Sequence, residues 1–377
     1  MNKLVKKRQP KYFNSFKCIG GKCEDSCCIG WDVDIDKSTF NQYENIKESS
    51  IKEFLKGNII LNKECEDFEI DFGKVSIKEN KRCPFLDEDN YCVIHSKLGE
   101  EYLSNVCTSF PKVVNKIDNV YEVSLDVACP EAARIVLWSG EKIEFEEVEE
   151  NLGKHIILNR LNTSLEELNW LPVEFFYEIR NKSIQIMQNR TLKIEDRINI
   201  LGYFIKSVEN EIDFNYDNAS KFIKEYDINK KVRESLNITT DLIKNIVKLI
   251  DLENITSEEF KKDTLSLLNN LKSLSYLKEK ISIRDTIEKY NFIFENYLVN
   301  FMYNSLFPYS EIESIYDGYI MLLVRYELIK YYLAFSNKNS SKEEVIKFIQ
   351  VFSKALGHHK TYLIKVLNYI KEEYQII

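Results

Sequence analysis

Nine cysteines stand in the first 129 residues of this 377-residue chain, and none follows Cys129. Four of them fall close together in FKCIGGKCEDSCCIGW, spaced Cys18-x4-Cys23-x3-Cys27-Cys28. Cys83 and Cys92 bracket CPFLDEDNYC, Cys107 opens CTSFPK, and Cys129 lies in ACPEAAR. Thiolates are soft ligands that suit zinc and iron–sulfur clusters. Close spacing beside Gly20 and Gly21, which permit a tight backbone, lets several sulfurs converge. The Cys23–Cys27 spacing is compatible with a zinc knuckle. The adjacent pair Cys27-Cys28 is unusual for a single zinc, because neighbouring side chains point in different directions. One of the two therefore faces a second centre or the core. Eight cysteines can make two four-sulfur sites, or one cluster with spare thiols. The ninth, Cys65, stands alone among charged residues and reads as an inert bystander.

Other residues near the cysteines could support chemistry. Glu24, Asp25, Asp32, Asp34 and Tyr91 could move a proton, although surface acids more often are simply solvated or cap turns. Trp31 could shield a cluster from water or stack on a ring, but core packing is the commoner role. His95 follows Cys92 at metal-ligand spacing. His358 and His359 read as the surface or end of a helix. The chain has no glycine-rich strand–loop–helix of the kind that cradles a nucleotide. Nor has it Cys-x3-Cys-x2-Cys, because Cys28 directly follows Cys27. No strand–helix alternation suggests a barrel.

The elements that must position these residues divide in texture near residue 140. Length alone suggests one to three domains. Seven of eleven glycines and four of six prolines lie at or before Gly140. Phe68, Ile70 and Phe72 alternate with acids, then Gly73, Val75 and Ile77 follow, which predicts a hairpin of two short strands. Val123, Leu125 and Val127 alternate before Cys129, and Pro130 is placed to open a helix. Such a loop-rich segment needs a staple, and a metal supplies one. From about residue 160, apolar residues recur at helical spacing. One stripe is Tyr290, Ile293, Phe294, Leu298, Phe301 and Met302. Another runs from Tyr319, Leu322 and Leu323 to Tyr326, Ile329 and Leu333. A third is Val345, Ile346, Phe348, Ile349 and Phe352. Thr256-Ser257-Glu258-Glu259 and Ser340-Ser341-Lys342-Glu343-Glu344 carry hydroxyl caps and first-turn acids. The expected fold is mainly α: a cysteine-rich metal-binding domain with short strands and helices over 1–145, then a helical bundle of about seven to nine helices over 146–377.

The formal net charge is −8. Nucleic acid is not expected as a partner for such a chain, because phosphate binding needs a clustered positive surface. An acidic surface tolerates a lysine-bearing protein. MNKLVKKRQP is basic without an apolar run behind it, so it does not read as a secretory signal. No stretch approaches a membrane span. A cytoplasmic setting is expected, where thiols stay reduced and favour metal over disulfides.

The segments FKCIGGKCEDSCCIGW, CPFLDEDNYCVIH, GEEYLSNVCTSFPK and VACPEAAR, in that order, resemble the flagellin lysine N-methylases, a branch of the CxxCxxCC-type metal-chelating proteins. ENYLVNFMYNSLFP at 295–308 and HHKTYL at 358–363 echo it more weakly. The resemblance implies methyl transfer from S-adenosylmethionine to lysine side chains of flagellin, with a cysteine-held [4Fe–4S] cluster; zinc is the alternative that spacing leaves open. It places the family's cysteine positions at Cys18, Cys23, Cys27, Cys28, Cys83, Cys92, Cys107 and Cys129. A helical half of this size is more than a metal carrier needs and suits docking of a protein substrate. Two departures stand out. The first spacing is looser than CxxCxxCC, and Thr108 replaces an arginine expected after Cys107.

Overall fold

The computed structural model describes residues 4–374 except 31, 80, 165–171, 231–237, 254, 256, 272–275, 310–313, 337, 339–340 and 358–359. Trp31, Thr256, Ser340 and the pair His358-His359 fall outside the described residues. The chain forms two compact units: residues 1–132 with 145–161, and residues 133–144 with 162–377. The break expected at 145/146 lies elsewhere because strands beyond 145 complete the first unit's sheet.

The first unit contains strands β1 (Leu4–Pro10), β2 (Asp34–Ile35), β3 (Ile59–Leu61), β4 (Gly73–Val75), β5 (Lys112–Ile117), β6 (Val120–Leu125), β7 (Phe145–Asn151) and β8 (Asn159–Leu161). A five-stranded sheet runs β7-β1-β6-β5-β8, and a three-stranded sheet runs β2-β4-β3. β1 pairs parallel with β6, Lys6 opposite Val120 and Arg8 opposite Glu122. Its other edge pairs antiparallel with the acidic β7. There Lys7 Nζ meets Glu150 Oε2 at 2.8 Å and Gln9 Nε2 donates to Glu146 Oε1 at 2.9 Å. Opposite charges across the strands thus support a ladder that lacks apolar alternation. Val123, Leu125 and Val127 are buried as expected.

The expected hairpin at 68–77 is replaced by a turn followed by one strand, β4. Asp71 explains the difference. Its carboxylate accepts from the backbone of Glu66 and Asp67, while Ile70 and Asp71 amides return to the Asp67 carbonyl. Aspartate closing its own neighbourhood outcompetes a ladder. Phe68 is left largely exposed, beneath the Lys37 ammonium at 4.8 Å.

Helices α1 (Lys37–Glu44), α2 (Ser49–Lys56), α3 (Val93–Leu98) and α4 (Asn105–Ser109) pack around the small sheet. Asp36 caps α1 through Thr39, and Ser104 caps α4 through Cys107. α5 (Pro130–Trp138) begins at the proline.

The second unit adds α6 (Phe176–Met187), α7 (Ile194–Asn215), α8 (Ala219–Glu225), α9 (Thr240–Lys248), α10 (Glu258–Asn270), α11 (Tyr276–Lys289), α12 (Asn291–Asn304), α13 (Ile315–Ser336), α14 (Lys342–Leu356) and α15 (Lys360–Tyr374). These are ten α-helices among the described residues, against seven to nine expected, because the helical texture is cut into shorter pieces. Ser257 caps α10, and Ser341 with Glu344 forms a full capping box on α14. α13 is buried all round, through Tyr319, Leu322, Tyr326, Ile329 and Leu333, as a central helix should be. Gly202 of α7 admits it: a Cβ there would lie 2.3 Å from the Tyr319 ring.

The echo at 295–308 has a structural meaning. Glu295 is fully buried between Arg190, which grips it at 2.8 Å, and Arg197 at 2.6 Å. Asn296 donates to the carbonyls of Val136, Ser139 and Glu141, beyond and within the end of α5. Glu295 thus ties two arginines together, and Asn296 ties α12 to the end of α5. No helix among the described residues is long and apolar enough to cross a membrane.

Candidate metal centre

The first unit folds its cysteines into two neighbourhoods. Cys28, Cys83 and Cys92 belong to one small core with Ile35, Tyr43, Phe85 and Ile94. Backbone pairing brings them there. The Cys83 amide donates to the Cys28 carbonyl at 2.9 Å, beside a bridge between Ile29 and Arg82. Leu86 bridges Cys92, and the Val93 amide donates to Phe85 at 2.8 Å. Cys107 arrives on α4, whose first amide, that of Asn105, donates to Asp36 at 2.9 Å. All six pairs among Cys28, Cys83, Cys92 and Cys107 are close enough for each thiolate to disfavour the other.

Cys18, Cys23 and Cys129 form the second neighbourhood, each close enough to repel the other two as thiolates. The parallel pairing of β1 and β6 explains it. Both strands exit at the same end, so the loop after β1 and the turn after β6 meet. Tyr12 fastens them through the Leu125 backbone. Cys27 lies between the neighbourhoods, near Cys18 on one side and Cys28 and Cys107 on the other.

The sulfurs are surrounded by donors. Phe85 donates an amide to Cys83, Ile94 and His95 to Cys92, Asp25 to Cys23, and Glu131 and Ala132 to Cys129. Such bonds favour thiolate and tune iron–sulfur centres. Burial nevertheless pushes the Cys83 thiol up to about 12 and the Cys129 thiol up to about 11. Cys28 moves the other way. The Cys27 thiol donates to it, Ser26 hydrogen-bonds it, and Arg82 adds positive charge. Cys27 is correspondingly pushed up. Cys18 and Cys107 are the exposed members of the eight. Among the described residues, no three His, Cys, Asp or Glu side chains close on a point at single-metal-ion distances.

The remaining sequence candidates sort by placement. Cys65 stands apart, its thiol donating to Asp71 at 3.2 Å. His95 contributes its backbone amide to Cys92 while the residue itself is exposed. Tyr91 lies over the glycine pair: Gly20 takes φ +56°, and a Cβ on Gly21 would come within 2.3 Å of the Asp89 carbonyl. The two cysteine segments are therefore clasped there by close backbone approach. Burial raises the Asp34 carboxyl, and its Oδ1 is buried with no hydrogen-bond partner. Thr108, in place of an arginine, donates to the Lys154 carbonyl at 2.8 Å.

That contact leads to a feature the sequence did not single out. A cavity of about 670 Å³ opens beside α4, lined by Asp36, Lys37, Phe68, Asn105, Lys154 and His155 among others. The Lys154 ammonium is held by Thr39 and, at 2.7 Å, by the Leu103 carbonyl. Burial pushes its pKa down. Burial and the nearby Lys112 and Lys7 push His155 down to about 4, and its Nδ1 has no partner. The local signal was the spacing of caps, Asp36-x-x-Thr39 and Ser104-x-x-Cys107, which mark where α1 and α4 begin; Lys154 and His155 carried none.

Fold and site together define a class: a mainly α protein whose first unit is rich in thiols. The family of FliB lysine N-methylases, represented by its C-terminal domain, matches residues 180–376. The chain belongs to that family. Flagellar biosynthetic protein FliU of Salmonella muenchen is 33% identical over 153 residues, covering 40% of this chain and 88% of that protein. A lysine-N-methylase of Salmonella typhimurium is 32% identical over 157 residues, covering 41% of this chain and 37% of that enzyme. The matched stretch thus spans little more than a third of that enzyme's length. No solved structure matches the chain.

Proposed function

We propose that this protein transfers a methyl group from S-adenosylmethionine to lysine side chains of flagellin in the cytoplasm, with Cys28, Cys83, Cys92 and Cys107 holding a [4Fe–4S] cluster. The observation that carries the reading is the packing of Cys28, Cys83 and Cys92 into one small core, with Cys107 beside them, in a chain of the lysine N-methylase family. The donor set fits the group: four sulfurs, amide donors on Cys83 and Cys92, and an apolar surround. Bound there, the cluster would supply iron chemistry and would hold the four thiols as thiolates.

In transfer, the lysine nitrogen forms a bond to the methyl carbon. The methyl–sulfur bond breaks, its electron pair returns to sulfur, and S-adenosylhomocysteine leaves. An ordinary lysine, with a pKa of about 10.4, must first lose a proton. The cavity beside α4 suits that step. Its volume lies in the usual ligand range. Lys37 and Lys154 at its wall disfavour a protonated guest amine, so the lysine sheds its proton to solvent before attack. Asp36 is occupied in bonds to Thr39 and Asn105 and positions the wall instead.

The test is incubation of anaerobically purified protein with methyl-labelled S-adenosylmethionine and flagellin of the same organism. Label on flagellin lysines is expected. Its absence, with the iron retained, overturns the reading.

A further inference from the structure

We propose that the cavity beside α4 holds the amino-acid end of the methyl donor, its carboxylate against Lys37 and Lys154 and its α-ammonium against Glu69. The inference rests on the proposed function and gives the donor a place among residues of this chain.

Three observations carry it. The first is positive charge left over for a guest. Lys37 and Lys154 line the same cavity. Among the described residues, neither ammonium makes an ion pair with a carboxylate. The Lys37 ammonium lies over the Phe68 ring at 4.8 Å and the Phe72 ring at 5.6 Å. The Lys154 ammonium donates to the Thr39 hydroxyl and, at 2.7 Å, to the Leu103 carbonyl. Neutral groups thus hold both cations. Lysine has three N–H donors, so Lys154 keeps one in hand.

The second is a division of labour between the two carboxylates of the wall. Asp36 is spent, accepting from the Thr39 amide and hydroxyl and from the Asn105 amide. Glu69 is exposed, and among the described residues its carboxylate has no hydrogen bond or ion pair. The cavity therefore offers two cations and one free carboxylate. That set complements a zwitterion, which brings an anion for the lysines along with its own ammonium. A lone protonated amine brings no such anion. The third is that the charges are fixed in relation to one another. The Lys37 amide donates to the Phe68 carbonyl at 2.8 Å, and the Asn105 side chain donates to the Glu69 carbonyl at 2.8 Å. A wall set before the ligand arrives loses less on binding.

The experiment measures equilibrium binding to the full-length protein purified anaerobically. The probes are S-adenosylhomocysteine and methylthioadenosine, which keeps the nucleoside and thioether but has no amino-acid end. S-adenosylhomocysteine is expected to bind at least about tenfold more tightly, the worth of one hydrogen bond to a charged group. Lys37→Gln and Glu69→Gln should each remove about that factor from S-adenosylhomocysteine and leave methylthioadenosine unchanged. Both side chains are exposed and neither hydrogen-bonds another part of the fold, so circular dichroism should match wild type. The comparison of the two probes on the unmutated protein needs no variant at all.

Equal affinity for the two probes overturns the proposal, as do variants that bind S-adenosylhomocysteine like wild type. Absence of S-adenosylhomocysteine binding to wild type overturns it together with the proposed function. Binding that depends on Lys37 and Glu69, without label on flagellin, defeats the proposed function alone. Label on flagellin, with binding indifferent to both substitutions, defeats this inference alone.

Discussion

The two units reach order by different means. The second is held by its own packing. Phe260 stacks on Tyr332 at 5.2 Å, Phe348 and Phe352 close around them, and α13 is buried on every side. Even its charges are internal, with Glu295 satisfied by two arginines. The first unit spends much of its small core on thiols and keeps Ile60, Leu61 and Phe68 exposed. Its sheet edge is matched by charge rather than by apolar area. The proposed metal would add to the order that its buried residues, such as Val114, Ile117 and Leu125, already supply. The difference teaches that cross-strand charge and clustered thiols can stand beside apolar packing in one stretch of a chain while packing alone holds another.

Removing the metal of the proposed centre should break that contrast most severely. Structural metal contributes on the order of 10 kcal/mol in small metal-held folds. A chelator under reducing conditions is expected to open residues 1–132 to limited proteolysis while the helical signal of 162–377 persists. Concerted loss of both units, read by proteolytic fragments and circular dichroism, would show that the contrast is false.

The buried carboxylate of the second unit comes next. Glu295→Ala leaves Arg197, almost fully buried, without its partner. Breaking such a pair costs about 3–5 kcal/mol. Chemical denaturation should show that loss in the helical unit, with metal content unchanged. Gly202→Ala is a smaller perturbation. The added carbon would meet the Tyr319 ring at 2.3 Å, and overpacking of this kind costs about 1–3 kcal/mol. A melting temperature equal to wild type would mean that α7 and α13 yield more easily than their packing indicates.

Particular residues show what was legible in the sequence. The helical stripes, the Ser257 and Ser341 caps and the Pro130 start were, because 3.6-residue periodicity and capping are local properties. β1 was not: LVKKRQP has no apolar alternation, and its ladder depends on acids about 140 residues away. The turn at 67–71 was mistaken for a strand because alternation alone cannot register an aspartate that closes its own loop. Among the cysteines, proximity in sequence was misleading. Cys18 and Cys129 are distant residues that meet through strand pairing. Lys154 and His155 acquire their character only from burial, which no local pattern encodes.

The smallest effect sharpens the comparison through pH. His155 has an ordinary value of about 6.5 and is pushed down to about 4 in the fold, chiefly by burial. Between those values the unfolded chain binds the proton and the folded chain does not. Stability is therefore fully present above about 6.5 and declines as pH falls toward 4. The decline should appear in the first unit, because His155 lies in its cavity wall, and His155→Gln should flatten it. Melting curves of wild type and variant between those limits, followed by proteolysis at sites in residues 1–132, provide the measurement. Two parallel curves would mean that the imidazole is solvated rather than held in the cavity wall of the first unit.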